Sequence, residues 1–427
     1  MKKLIYAMLS VITLGLVSCD QFNEASDAQN VIGQDVKVSL WTKAGTRAES
    51  GNVTFGDDML ISMDNYTEGL HYEQKFSGSE CVVKDVVPGV YSISVSGTAY
   101  DEDGFPILLM ANIVNRPILA SSASGSNQST GSEISIEVKG AQIGNLVFSE
   151  VYYCGSNPWY FRDQFYEIAN NSDEVQYLDG LYFANTDPID FNKVLPIWPA
   201  EDEDGYVYAS RVWKFPGEGT DYPLQPGESC IVAQFAANHK LPTFNPNCPI
   251  DGSQAEFEFY MNSATYTDQP AENMLHVFYD GSAEMGSIEM YLTSVFGVGL
   301  MVFRVPEGVD WDPVHDSSMS TTNLGSKYGT LYAKVPVEYV VDAVECVRNA
   351  SYNDSKNFPA IMDGGFVTVG SSYLGVGVTR LVDEEATAAS GHVKYKDTNN
   401  SVNDFESGVV PVMHRHSTAP AWSHVNQ

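Results

Sequence analysis

An all-β protein built from two β-sandwich modules is what this sequence predicts, on three observations. Gly and Pro, 35 and 20 of 427 residues, punctuate the chain at the short intervals expected of turns between strands. The runs between them are rich in Val, Ile, Tyr and Phe, and several alternate apolar with polar residues; period two gives a strand one face for a core and one for water. Helical periodicity is almost absent. An aromatic content of 12% is too high for a disordered acidic chain.

Residues 1–18 stand outside the fold. Lys2 and Lys3 precede an apolar run from Leu4 to Val17, the plan of a secretory signal and short for a membrane span. The run ends Leu16-Val17-Ser18-Cys19, which resembles the bacterial lipobox. The resemblance implies cleavage before Cys19 and lipidation of its thiol, so Cys19 is the expected anchor in the outer membrane. Several acyl chains on one residue hold where a single chain does not. Residues 19–32 are polar, with Asp20, Glu24 and Asp27, and read as a flexible tether. An acidic stretch behind the lipid Cys resembles an export signal of the Bacteroidota, which implies exposure on the cell surface.

Residues 33–140 form the first expected sandwich. Val36–Trp41, Tyr91–Val95 and Glu133–Val138 alternate cleanly and are expected strands, with Ser121–Ser132 a flexible loop. Val87-Pro88-Gly89-Val90-Tyr91-Ser92-Ile93-Ser94-Val95 resembles the "PGxYxIxV" hairpin of carboxypeptidase-regulatory-like and transthyretin-like sandwiches. Those are mostly spacers or adhesion modules, with no catalytic residues to carry over.

Residues 145–412 form the second. A strand ends Glu150-Val151-Tyr152-Tyr153, and Gln164–Asn170 forms another that runs into a polar turn. Leu178-Asp179-Gly180-Leu181 opens a third. This resembles the start of the lamin-tail domain, an immunoglobulin-like sandwich, with its Glu closing strand one, then "E-(I/L)-x-N", then "L-x-G". Leu224–Val232 resembles its "L-x-P-G-E" hairpin and Val341–Glu345 its "V-D-x-V" strand. Thr379–Leu381 and Asp397–Phe405 resemble its closing pieces. The span exceeds a lamin-tail domain by a large insertion, at about 235–335, whose fold is not legible. Residues 413–427 read as a C-terminal tail, in which His414, His416 and His424 are expected to fray. The whole resembles a Bacteroidota lipoprotein family of unassigned function. Within the motif, Glu150 and Glu167 are expected on facing strands as a structural ion pair with Arg162 or Arg380.

The net charge is −32, from 23 bases and 55 acids. A surface that negative excludes nucleic acid and anionic headgroups as partners. Loss of Lys2 and Lys3 with the signal would deepen it by two units. The acids are spread evenly over both modules, as suits a self-repelling exterior surface. Beyond Cys19, five cysteines remain: Cys81, Cys154, Cys230, Cys248 and Cys346. None forms a CxxC pair, which argues against zinc or thioredoxin chemistry. Export permits disulfides, whose pairing stays open, and Cys81 is expected as a buried, inert thiol.

No GxSxG, HExxH, P-loop or Rossmann fingerprint is present, so no catalytic residue and no cofactor is assigned. The densest local cluster is Asp310, Asp312, His315 and Asp316, candidate ligands of a divalent cation. The acidic runs Asp101–Gly104 and Glu201–Gly205 lack the spaced pattern of a calcium loop. Asn157-Pro158-Trp159-Tyr160-Phe161 can stack on sugar rings or plug a core. The functional expectation is a non-enzymatic, lipid-anchored cell-surface protein. It would present its sandwiches to a partner or ligand, beside a TonB-dependent transporter or another surface protein. The alternatives are a glycan-binding module, or a metal-dependent hydrolase within the insertion.

Overall fold

The computed structural model describes residues 33–42, 53–100, 106–120, 132–140, 145–199, 205–264, 266–284, 291 and 293–426. The signal, the tether, Cys19 and the acidic runs at 101–104 and 201–204 lie outside the described residues. Among the described residues, no helix is long and apolar enough to cross a membrane.

The alternating runs become strands, as an apolar face requires. Gln34–Trp41 lies between Glu80–Val86, antiparallel, and Ser132–Glu137, parallel. It turns Val36, Val38 and Leu40 inward and Lys37 outward. The facing sheet runs in the order Leu70–Lys75, Leu60–Asn65, Gly89–Tyr100, Pro106–Ile118, Lys139–Gly140, with Thr54–Phe55 on the edge of its long strand. Tyr91, Ile93 and Val95 from that long strand meet Val36 and Val38 in one core, which also takes Cys81. Each such side chain, fully buried, stabilises by about 1.5–3 kcal/mol over leaving it exposed. Gly97 sets how closely the sheet can pack. Its φ is 152°, and a Cβ there would sit 2.5 Å from the Met59 Cα. Gly97→Ala is therefore expected to destabilise the protein by about 1–3 kcal/mol, read as a lowered midpoint in denaturant.

The second module has three layers. A seven-stranded sheet runs Glu272–Asn273, Phe257–Glu258, Ser229–Ala233, Phe165–Asn170, Leu146–Tyr152, Gly377–Arg380, Phe405–Val409. A five-stranded sheet runs Leu275–Tyr279, Arg211–Lys214, Tyr182–Asn185, Gly299–Phe303, Val340–Glu345. Phe148, Tyr166, Phe183, Trp213 and Phe259 fill the space between them. The outer face of the five-stranded sheet is covered in turn by Tyr206–Ala209, Leu331–Pro336 and Ser320–Thr322, over Met301, Phe278, Val335 and Trp311. Leu146–Tyr152 and Phe165–Asn170 are buried at every position. Covered on both faces, they have no reason to alternate.

The stretch 235–335 is not a body inserted into a finished sandwich. Gly299–Phe303 is hydrogen-bonded to Tyr182–Asn185 on one side and Val340–Glu345 on the other. Phe257–Glu258 extends the other sheet. The C-terminal segment also departs from expectation. Thr418 pairs beside Glu228, with Ser229 N–H donating to the Thr418 carbonyl at 3.1 Å. Trp422 meets Tyr222 and Phe257 edge-on. The two modules touch where Asn112 donates to the Asn399 carbonyl at 3.0 Å and Tyr66 meets Phe366 edge-on.

Candidate ligand-binding site

At one end of the second module, residues 154–164 join two buried strands. The loop closes on itself: Ser156 and Tyr160 exchange both backbone hydrogen bonds at 2.8 Å. Gly155, at φ 69°, allows this, because a Cβ would sit 2.3 Å from the Tyr160 carbonyl oxygen. At the tip stands Trp159, 78% exposed with φ 59°. A bulky residue in the left-handed region is disfavoured, and such strain persists only where the surroundings enforce it.

The surroundings here are a buried polar network. The Asp163 carboxylate accepts from Tyr152 Oη at 2.8 Å, Ser156 Oγ at 2.6 Å and Cys248 Sγ at 3.2 Å. Asn245 Nδ2 donates to Ser156 Oγ and to the Asn157 carbonyl. Tyr160 Oη lies 2.6 Å from His239 Nδ1, and His239 Nε2 lies 2.8 Å from the Phe235 carbonyl. A carbonyl only accepts, so Nε2 carries the proton and Nδ1 accepts from the tyrosine. Burial lowers the His239 pKa to about 4, which keeps the ring neutral.

A second loop completes the site. Tyr373, also at positive φ, 63°, donates its N–H to the Cys154 carbonyl at 2.6 Å, and Gly375 N–H bonds the Gly155 carbonyl. The Tyr373 ring lies 5.9 Å from that of Trp159, tilted by 38°. Leu374 beside it is exposed. The Arg162 guanidinium lies 4.6 Å from the Tyr266 ring centre. Two loops thus hold two aromatic rings as one shallow, preorganised platform.

Residues 225–412 match a family described as a protein of unknown function, DUF4876. A crystal structure titled as a DUF4876 family protein from Bacteroides thetaiotaomicron VPI-5482 is 47% identical to this chain. The match covers 92% of this chain and 100% of that one, with a TM-score of 0.65. This chain belongs to the DUF4876 family. No curated protein matches it.

Two hollows formed by the described residues of this DUF4876 protein are small. One is lined by Phe235, Phe259 and Tyr266, the other by Phe296, Glu345 and Arg348. Each has room for about one water molecule, about 10 Å³. Neither hollow admits a larger ligand, and the aromatic platform lies on the surface outside both.

The sequence-predicted cation ligands do not converge. Asp312 accepts from the Val314 and His315 N–H groups and lies 2.7 Å from His315 Nδ1. These bonds hold its carboxyl below the usual range. Asp316 bonds Ser318 and caps a single helical turn. Asp310 and His315 point to solvent. Among the described residues, no group of three or more His, Cys, Asp or Glu is arranged to hold a metal ion. The loop is shaped by Trp311, which is buried with Nε1 donating to the Lys334 carbonyl.

Glu150 and Glu167 do sit directly opposite each other, but neither Arg162 nor Arg380 reaches them. Arg415 does, in a two-pronged contact with Glu150 at 2.8 and 3.0 Å. Nothing local in the sequence announces a contact spanning 265 positions. Arg380 instead holds Asp342, Asp397 and Asp404.

All five described cysteines of the DUF4876 protein are buried free thiols. Burial pushes Cys81 up to about 11, and raises Cys154, Cys230, Cys248 and Cys346 as well. With Cys19 replaced by Ser, a thiol reagent at pH 8 is expected to leave the folded protein almost unlabelled and to titrate the remaining five after unfolding. Fast labelling of the native state, or fewer thiols in the unfolded one, would contradict the arrangement.

Proposed function

We propose that this DUF4876 protein is a non-enzymatic cell-surface lipoprotein, anchored through Cys19, that binds carbohydrate on the Trp159–Tyr373 platform. The observation that carries the reading is Trp159, almost fully exposed on a strained backbone that a buried network holds in place. An indole kept in water at conformational cost is a contact surface. A pyranose offers such a ring one apolar C–H face, with hydroxyls free for solvent. Neither of the two hollows among the described residues has room to engulf a ligand, whereas the platform is open to stacking.

The lamin-tail-like core and the outer-membrane location are parts of this proposal. So is a TonB-dependent transporter as the partner to which captured glycan is delivered. Neither a catalytic step nor a cofactor is assigned.

A polysaccharide array probed with the purified protein tests the reading. Binding to at least one glycan is expected. Trp159→Ala should weaken it about tenfold or more, as for a central aromatic anchor, without moving the unfolding midpoint. Silence across host and plant polysaccharides, or unchanged binding by the variant, would remove the proposal.

A further inference from the structure

In a chain with 55 acids and 23 bases, a cation without an anion is conspicuous. Arg380 and Arg415 bond carboxylates, and Arg304 bonds the Asp179 and Tyr177 carbonyls. Among the described residues, Arg348 bonds neither. Its guanidinium lies 3.6 Å from the ring centre of Phe191 and 4.7 Å from that of Phe296. Phe191 is 70% exposed, so this ring stands on a cation and adds little to the core. The two rings meet edge-on, inclined by 61° with centres 6.0 Å apart, and so hold the guanidinium at their corner by cation–ring contact alone.

A second cation stands alongside. Lys193 has φ 57° in a turn held by Asp190, whose Oδ1 accepts from the Asn192 and Val194 N–H groups. Its ammonium lies 5.0 Å from the Tyr352 ring centre and bonds the Ser351 carbonyl. Tyr352, Phe296 and Arg348 line one hollow. The Glu345 carboxylate at its base accepts from the Asn357 and Phe358 N–H groups, and forms no ion pair with Arg348. The placement ties this cluster to the platform. Cys346 pairs with Val367, Val369 N–H donates to Tyr153 Oη, and the chain runs on to Tyr373. Both features leave the sandwich at the same end.

We propose that Arg348, held against Phe191 and Phe296 with Lys193 beside it, receives a carboxylate of the ligand, so that the glycan bound is a uronate-bearing one. This rests on reading Trp159 as a sugar platform. A carboxylate is planar and takes two parallel N–H···O bonds in the guanidinium plane. Phe191 and Phe296, inclined by 61°, hold Arg348 at their corner, and the carboxylate slot is its guanidinium, unpartnered among the described residues, with Lys193 beside it. On so acidic a protein, an anionic ligand needs a local cation to be admitted at all.

The test is calorimetry on the purified protein with oligogalacturonate and alginate oligomers, their methyl esters, and poly-glutamate. The acids and their esters share rings and linkages and differ only in charge. At least one acid is expected to bind about tenfold or more tighter than its ester, the value of a charge-assisted contact. Arg348→Gln should abolish that difference while leaving ester binding and the unfolding midpoint unchanged. Arg348→Lys should restore part of it. Trp159→Ala should weaken acid and ester alike. Equal binding of acid and ester, or an Arg348→Gln that weakens both, would overturn the carboxylate slot and leave the platform standing. Arg348-dependent binding of poly-glutamate without any sugar would overturn it in favour of an acidic protein. Failure of every sugar, charged or not, would remove platform and slot together.

Discussion

Arg380→Met is expected to cost the protein about 3–5 kcal/mol of stability, because it leaves buried carboxylates without their cation. Arg380 lies 2.7 Å from Asp342, 3.4 Å from Asp397 and 3.7 Å from Asp404, and all four side chains are at most 3% exposed. Its Nε also donates to the Phe148 carbonyl at 2.8 Å and its Nη1 to that of Lys396 at 3.0 Å. One side chain therefore ties three segments to the seven-stranded sheet, from the strand next to its edge. Burial raises Asp342 to about 7 and Asp404 to about 6 even with the arginine present. Equilibrium unfolding in urea reads the loss. Apolar replacement of the whole cluster should be far milder than loss of the arginine alone, and an Arg380→Met protein of unchanged midpoint would contradict the reading.

Arg415→Met is expected to cost about 3 kcal/mol, the lower end of the range for a broken buried pair, because Arg415 keeps 24% of its side chain in water. It strands Glu150, a carboxyl that burial already pushes up, opposite Glu167. The same C-terminal segment serves Glu167 through the His414 N–H and Ser417 Oγ, and Glu256 through Ser423 Oγ. His414 Nε2 lies 3.4 Å from Glu256. Burial alone would lower the His414 pKa, but the Glu256 and Glu167 carboxylates hold it above the ordinary value. The sign follows from proton counting. A group whose pKa is raised on folding binds more protons folded than unfolded across the interval, so stability falls as pH rises through it. His414, Asp404, Asp342 and Glu345, the last raised by burial to about 7, all act in this direction. His239 and His276, which burial lowers to about 4, act in the opposite direction below the ordinary histidine value, so the decline in stability measured in urea should be partly offset from about pH 4 to 6.5 and be clearest from there through about 7. His414→Gln should flatten the upper part of that decline. A profile that rises over the same interval would contradict the arrangement.

The all-β class was legible because period two is a local property. Val36, Val38 and Leu40, or Tyr91, Ile93 and Val95, declare their faces within a few residues, and the structure buries them as read. Strands covered on both faces declare less. Gly299–Phe303 reads as a plain apolar run, and its place between two strands from distant parts of the chain is set by pairing partners that no local pattern encodes. The polar clusters failed for the same reason. Asp310, Asp312, His315 and Asp316 are dense in sequence, yet their bonds close turns. The clusters that matter to the core, around Arg380 and Arg415, assemble from positions as much as 265 apart. Trp159 was visible as an aromatic in a loop. Its strained backbone and the Asp163 network beneath it were not, since both depend on Asn245, Cys248 and Tyr373 arriving from other loops.

The pairing of Leu146–Tyr152 with Gly377–Arg380, and the cover that residues 412–423 place over Glu150, Glu167 and Glu256, also dictate an order of assembly. A chain emerging from its N-terminus can complete the first sandwich once residue 140 is out, because every partner strand is by then present. The second must wait for residues 412–423. Long-range pairing of this kind is slow, and a copy cut short by even fifteen residues keeps three carboxylates on an open sheet. The presence of residues 412–423 is thereby made a condition for closing the second module, and a chain without them is expected to open there first.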